Sequence, residues 1–190
     1  MRLVRCDAEG LAAASELLNT GGVAVIPTDT VYGLAARPDF PAAVERLYSI
    51  KGREAKKPIA LLAADAAAAA RFLGRELPPV AADLAALHWP GALTLVLPVQ
   101  DGSRFEGLRV PDHSWTRSLL ASCGGVLRVT SANLSGCRPA TDAPAALADV
   151  GLSADMVVDD GVSPGGTAST VVKIDVSGAK TLLRPGPIEV

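Results

Sequence analysis

VAVIPTDTVYGL, residues Val23 to Leu34, decides how the chain is read. Its first half is a short β-branched run, the pattern of a buried strand. Its second half leaves that strand at once and offers Thr28, Asp29, Thr30 and Tyr32. Polar side chains at the end of a buried strand, set on a rigid sheet, are where α/β proteins present groups to a ligand. The plain alternative is an ordinary Thr and Asp turn. Upstream, Asp7 caps a helix to about Asn19 that Gly21 and Gly22 stop, so a helix is expected ahead of the first strand. Downstream, Asp39 and Pro41 form a cap and first-turn pair, and Val44, Leu47 and Tyr48 share a helical face ending near Lys51.

The same alternation continues. A short strand starts at Ile59, Asp65 opens an alanine-rich helix that Gly74 ends, and Pro79 to His88 reads as a helix. "ALTLVLP" (92–98) is the longest strand, Gln100 to Glu106 a polar loop and hypothetical mobile lid, and "GLRV" (107–110) a strand. Ser114 is expected to cap a helix through Ala121, "VLRVT" (126–130) to form a strand running into "SANLSG", and Asp142 with Pro144 to open one more helix. "MVVD", "STVVKID" and "TLLR" finish the chain as strands without helices between them, which predicts an α/β fold on a mixed rather than purely parallel sheet.

Composition bounds the function. The chain has 190 residues, 18 Lys and Arg against 20 Asp and Glu, and a formal net charge of −2. That length suits one domain, read as residues 1–190. A near-neutral balance argues against a protein coated in positive charge, while leaving room for a local basic patch. Thirty-three alanines and only seven aromatics mean that Val, Ile and Leu must supply most of the core. No apolar run approaches a membrane span, and "MRLVRCDAEG" lacks the apolar stretch of a secretory signal, so a cytoplasmic, non-membrane protein is expected. Cys6, Cys123 and Cys137 fit no disulfide framework, and His88 and His113 lack ligand spacing, so no metal ligand is assigned.

Four segments carry the chemistry. "KGREAKK" sets Lys51, Arg53, Lys56 and Lys57 within seven residues, either an anion site or a solvated helix end that complements the helix dipole. "TSANLSG" repeats the arrangement of Thr28 to Tyr32: a strand ends, and Ser131, Asn133 and Ser135 follow. Hydroxyls, an amide and free backbone N–H groups can bind phosphate or carboxylate oxygens. "GGTASTVV" brings Ser169 and Thr170 into a strand from a glycine turn, and "RPGPI" fixes the fork of Arg184 before a Pro-Gly turn. Walker A and dinucleotide-binding patterns are absent. "GVSPG" (161–165) fits a nucleophile-elbow pattern, but no histidine follows Ser163, and a flexible turn is the default.

"PTDTVYGL", "KGR" with a following "KP", "WPGALTLVLP", "LRVPDH", "SANLSG", "STVV" and "RPGPI" occur in an order that resembles the YrdC/TsaC family of threonylcarbamoyl-AMP synthases, over about residues 10 to 188. The resemblance implies a YrdC-like twisted, mixed sheet with flanking helices and a concave, positively charged face. It implies synthesis of L-threonylcarbamoyladenylate and pyrophosphate from L-threonine, bicarbonate and ATP with Mg2+, and no tightly bound cofactor. A partner threonylcarbamoyl transferase complex (TsaD with TsaB and TsaE, if bacterial) would then modify tRNA beside the anticodon, with direct tRNA contact possible. It further implies catalytic roles for Lys51, Arg53, Ser131 and Asn133. Threonine contacts fall on Thr30, Arg109, Ser131 and Ser169, and ATP contacts on Arg53, Lys57, Asn133, Thr141 and Arg184. Two departures are Lys57, where some relatives have Asn, and Leu62, where some have His. The chain stops at Val190, so the second domain of longer relatives is expected to be absent. The alternatives are a double-stranded RNA or tRNA-binding module without catalysis and a carbamoyl-transfer relative acting on carbamoyl phosphate.

Overall fold

The computed structural model describes residues 1–54 and 57–190. Among these residues ten strands form a single sheet in the order β1-β8-β2-β3-β7-β4-β6-β5-β9-β10. The strands are β1 Arg2–Arg5, β2 Ala24–Ile26, β3 Gly33–Ala36, β4 Leu61–Ala63, β5 Leu93–Pro98, β6 Phe105–Arg109, β7 Val126–Ser131, β8 Met156–Asp159, β9 Thr170–Ile174 and β10 Lys180–Arg184. The pairs β1/β8, β2/β8, β4/β6 and β5/β9 are parallel and the others antiparallel, which bears out the mixed sheet. Among the described residues six α-helices flank it: α1 Ala8–Asn19, α2 Pro41–Lys51, α3 Ala66–Leu73, α4 Pro79–His88, α5 Ser114–Ser122 and α6 Ala143–Asp149.

Asp7, Asp65 and Asp142 cap their helices as expected, each accepting from the backbone N–H three residues on. Two other caps are corrected. Asp39 turns away to accept from Arg37, leaving Phe40 at the cap position of α2 without a side-chain bond. Ser114 is the first residue of α5, and the cap is His113, whose ring nitrogen accepts from the Thr116 N–H at 3.2 Å.

The order of elements also differs at the N-terminus. β1 precedes α1 and adds in parallel to β8 as an edge strand. Its sequence RLVR is largely exposed, so it carries no buried-strand pattern. β3 was likewise invisible: Gly-Leu-Ala-Ala has no β-branched residue, yet all four are buried between β2 and β7. A Cβ on Gly33 would lie 2.5 Å from Val129, so only glycine lets these strands close up.

Period-two alternation then builds the site. In β5, Leu93, Leu95 and Leu97 pack under α3 and α4, joined by Leu108 of β6 and by Val172 and Ile174 of β9. The alternate residues, Thr94 and Val96, Phe105, Gly107 and Arg109, and Val171, line a cleft on the other face. Toward the opposite end of the sheet both faces are covered, by α2 and α6 on one side and by α1 and α5 on the other. Val, Ile and Leu dominate the core as composition required, with alanines filling narrow helix–sheet contacts.

Candidate active site

The uncovered face of β3, β4, β5, β6, β7, β9 and β10 forms the floor of a cleft of about 480 Å³, within the range of small-molecule sites. Two of the loops that wall it are tied to each other. Beyond β2, the Thr28 hydroxyl accepts from the Thr30 N–H at 3.1 Å and donates to the Val31 carbonyl at 2.7 Å. That tight turn presents Thr30 to the cleft. The link from β8 to β9 crosses the sheet from one end toward the other as a strap. Along it the Ser163 N–H donates to the Thr141 carbonyl at 2.7 Å and the Gly165 N–H to the Asp29 carbonyl at 3.0 Å.

Ser163 is thereby explained. Its hydroxyl is buried and donates to the Thr28 carbonyl at 3.0 Å, no helix follows it, and it serves as a tether rather than a nucleophile. Gly165 sits so close that a Cβ would lie 2.6 Å from the Asp29 carbonyl oxygen and 3.1 Å from Thr30 Cα. Gly165→Ala must push strap and turn apart, and is expected to destabilise the fold by about 1–3 kcal/mol. A urea midpoint equal to wild type would show that the two backbones are not held in contact.

Thr30, Arg53, Arg109, Ser131, Ser169 and Arg184, expected from widely separated segments, all line this one cleft. Arg109 is its deepest cation. Its Nε donates to the Gly91 carbonyl at 2.9 Å, Nη1 donates to Thr30 Oγ1 at 2.8 Å, and Nη2 is paired with Asp29. Burial pushes its pKa down, Asp29 opposes that, and the charge of Arg184 adds to it. Arg184 reaches back to the Ser169 carbonyl at 2.8 Å and hydroxyl at 3.1 Å, while Arg53 holds the Lys57 and Pro58 carbonyls at 3.0 and 3.1 Å. Burial, then the neighbouring charge of Arg53, lowers the pKa of Arg184. Guanidinium groups that repel one another across a cleft suit an anion, because an anion would relieve the repulsion.

Lys51 and Asn133 lie behind this wall rather than on it. The buried Lys51 ammonium donates to the carbonyls of Ser131 and Asn133, the latter at 2.5 Å, and the Asn133 amide donates to the Leu134 and Cys137 carbonyls at 2.8 Å each. They shape the turn that exposes Ser131. Lys57 is exposed and pairs with Glu54 at 3.6 Å, and the half-buried Thr141 packs against the strap; neither lines the cleft. Lys56 lies outside the described residues.

Sequence reading missed Thr94, Phe105 and the partner role of Asp29. Thr94 shares a 2.7 Å hydrogen bond with Ser169, and its signal was a polar residue inside the apolar strand LTLVLP. The expected polar loop is shorter than read: Phe105 and Glu106 belong to β6. The preceding turn is closed by the Val99 N–H donating to Arg104 O at 3.1 Å and anchored by Gln100 N–H donating to Leu73 O at 2.9 Å.

A mixed sheet with one face left open as a cleft, three converging arginines and a rim of hydroxyls defines an α/β protein whose cleft suits a small anionic ligand. The Sua5/YciO/YrdC family model, described as "Telomere recombination", matches residues 16–186. The chain belongs to this family. It is 35% identical over 187 residues to the threonylcarbamoyl-AMP synthase of Bacillus subtilis, covering 94% of this chain and 54% of that protein. With human threonylcarbamoyl-AMP synthase it shares 33% identity over 193 residues, covering 94% of this chain and 67% of the relative. The chain thus spans about half the length of the Bacillus relative and two thirds of the human one. Among solved structures, P. abyssi Sua5 complexed with L-threonine superposes with a TM-score of 0.87 at 30% identity, over 97% of this chain and 57% of that one. E. coli YciO, at 23% identity and a TM-score of 0.83 over 99% and 96% of the two chains, shares the fold.

Proposed function

We propose that the protein is an L-threonylcarbamoyladenylate synthase, a nucleotidyltransferase that makes threonylcarbamoyl-AMP and pyrophosphate from L-threonine, bicarbonate and ATP. The convergence of Arg53, Arg109 and Arg184 with Thr30, Ser131 and Ser169 in one cleft is the observation that carries this reading. The reaction gathers a carboxylate, a carbamate and a triphosphate, and these residue types suit that cargo. Arg109, with Thr30, Ser131 and Ser169, takes the threonine side. Five N–H groups on a guanidinium leave Arg109 donors beyond its three protein bonds. Arg53 and Arg184 take the phosphates, and among the described residues neither Nη1 has a hydrogen-bond partner in the protein. Lys57 and Thr141 are neighbours in sequence of the lining residues Pro58 and Pro139, and supply any ATP contact from outside the wall.

Chemically, the threonine amine combines with bicarbonate to give a carbamate and water. A carbamate oxygen then attacks the α-phosphorus, and the bond to the bridging oxygen breaks as pyrophosphate leaves. The arginines neutralise charge that grows on the phosphates, and positioning does the rest. Among the described residues no carboxylate lines the cleft, and Asp29 is engaged by Arg109, so Mg2+ would arrive on ATP and be held through its phosphates. A threonylcarbamoyl transferase would consume the product and act on tRNA, in the cytoplasm. No helix among the described residues is long and apolar enough to cross a membrane.

Pyrophosphate release from ATP should require both threonine and bicarbonate, with threonylcarbamoyl-AMP detected by mass. Folded protein that releases none overturns the proposal, and release supported by carbamoyl phosphate instead would redirect it. Arg53→Ala should lower the rate ~10²-fold through lost charge stabilisation, and an unchanged rate removes Arg53 from the phosphate site.

A further inference from the structure

Behind the wall formed by residues 28–32, three chain ends meet that the chemistry above does not use. Cys6 follows β1, Asp160 follows β8, and His113 precedes α5. The Cys6 thiol, a ring nitrogen of His113 and a carboxylate oxygen of Asp160 all lie within 4.8 Å of one another. Residues 107 and 47 positions apart in the chain cannot be matched by ligand spacing, which is why the sequence assigned no metal ligand. We propose that Cys6, His113 and Asp160 form a site for a borderline-soft divalent cation of the zinc class, with water completing the coordination.

The donor set is one sulfur, one imidazole and one carboxylate, the mixture that zinc prefers and magnesium or calcium does not. His113 Nε2 already points at the cluster, 2.9 Å from Asp160 Oδ2. Its other nitrogen, Nδ1, has the support that metal-bound histidines need. Thr116 Oγ1 donates its hydrogen to the Pro27 carbonyl at 2.8 Å, so it turns a lone pair toward Nδ1, 3.0 Å away. When a cation takes Nε2 the proton sits on Nδ1, which then exchanges the bond it accepts from the Thr116 N–H for one it donates to Thr116 Oγ1. Asp160 is held from behind, its N–H donating at 3.0 Å to the Tyr32 hydroxyl, which itself donates to the Gly161 carbonyl at 2.8 Å. The Cys6 N–H donates to the Asp159 carbonyl at 2.9 Å. Without a cation, burial first and then Asp160 hold the Cys6 thiol up at about 12, and a dication beside both groups reverses that balance. Three protein donors with Asp160 partly exposed leave an open position for water. An ion here would tie β1, β8 and α5 together behind Pro27 and Tyr32, and so brace the turn that carries Thr30.

Co2+ is the probe, because a bound thiolate gives an intense ligand-to-metal charge-transfer band, and Zn2+ competition then reads affinity. The full chain should bind one Co2+ with that band, lose it when Zn2+ is added, and melt at a higher temperature with Zn2+ present. Cys6→Ser should abolish the band. Asp160→Asn, an exposed change that spares the helix cap, should weaken binding ~10- to 100-fold. Cys137→Ser, at an exposed thiol elsewhere, should leave both unchanged. The proposal is overturned if folded wild-type protein shows no band, or if the band survives Cys6→Ser or disappears in Cys137→Ser. Since binding is read by absorbance and melting, it is decided independently of synthase activity.

Discussion

Arg109→Ala is expected to lower threonylcarbamoyl-AMP formation by ~10²- to 10³-fold and to cost the fold about 3–5 kcal/mol. Both effects follow from one position. The guanidinium is nearly inaccessible, so its charge is compensated by protein rather than water: Asp29 takes one Nη2 bond, Thr30 one Nη1 bond and Gly91 the Nε bond. Removing it strands the Asp29 carboxylate, whose side chain is only 12% exposed, beside a hole. It also frees Thr30, whose hydroxyl is then fixed only by Thr28 at 3.1 Å. Stability and activity are separated by adding Asp29→Asn. With the stranded charge gone, the double variant Asp29→Asn/Arg109→Gln should recover part of the stability in a denaturation cycle while synthesis stays low. If activity returned with stability, Arg109 would be a structural ion-pair partner and threonine would be held elsewhere.

How much of this could be read beforehand depends on whether the signal was local. Asp7, Asp65 and Asp142 announced their helices because a cap is a property of four consecutive residues. Two walls of the cleft were legible for a related reason: each is a strand end that breaks abruptly into hydroxyls, as at Thr28 and Ser131. Pairing partners are not local. Nothing about RLVR says that it adds to MVVD more than 150 residues away, and nothing about GLAA says that one leucine and three small residues sit inside a sheet. The same holds inside the site. The family resemblance names Lys51 and Asn133 together, but only the fold shows that they sit behind Ser131 and act on its backbone. Asp29 looked like a turn residue because its partner lies 80 positions on. Cys6, His113 and Asp160 were passed over for the same reason.

Lys51 gives the second large effect, in which stability and catalysis move in opposite directions with pH. Burial first, then the charge of Arg53, pushes its ammonium down from 10.5 to about 8. In the unfolded chain the lysine keeps its proton up to about 10.5, while in the folded chain it releases it near 8. Between those values the unfolded state holds more protons, so this group makes folding more favourable as pH rises. Cys6 and Tyr32, each pushed up to about 12 chiefly by burial, act the other way from pH 9 or so. Comparison with Lys51→Met isolates the lysine: the stability difference between wild type and variant should grow by about 1 kcal/mol from pH 8 to 9. Over the same interval wild-type synthesis should fall, because the neutral amine has lost the charge that strengthens its bonds to Ser131 and Asn133 and adds to the field behind the cleft. Lys51→Met itself should be slower by ~10²-fold at pH 7 and lack this alkaline limb. A rate that stays level through pH 9 while the stability difference grows would confine Lys51 to the fold. A stability difference that stays level would mean that the ammonium is as comfortable there as in water, which burial beneath two carbonyls does not permit.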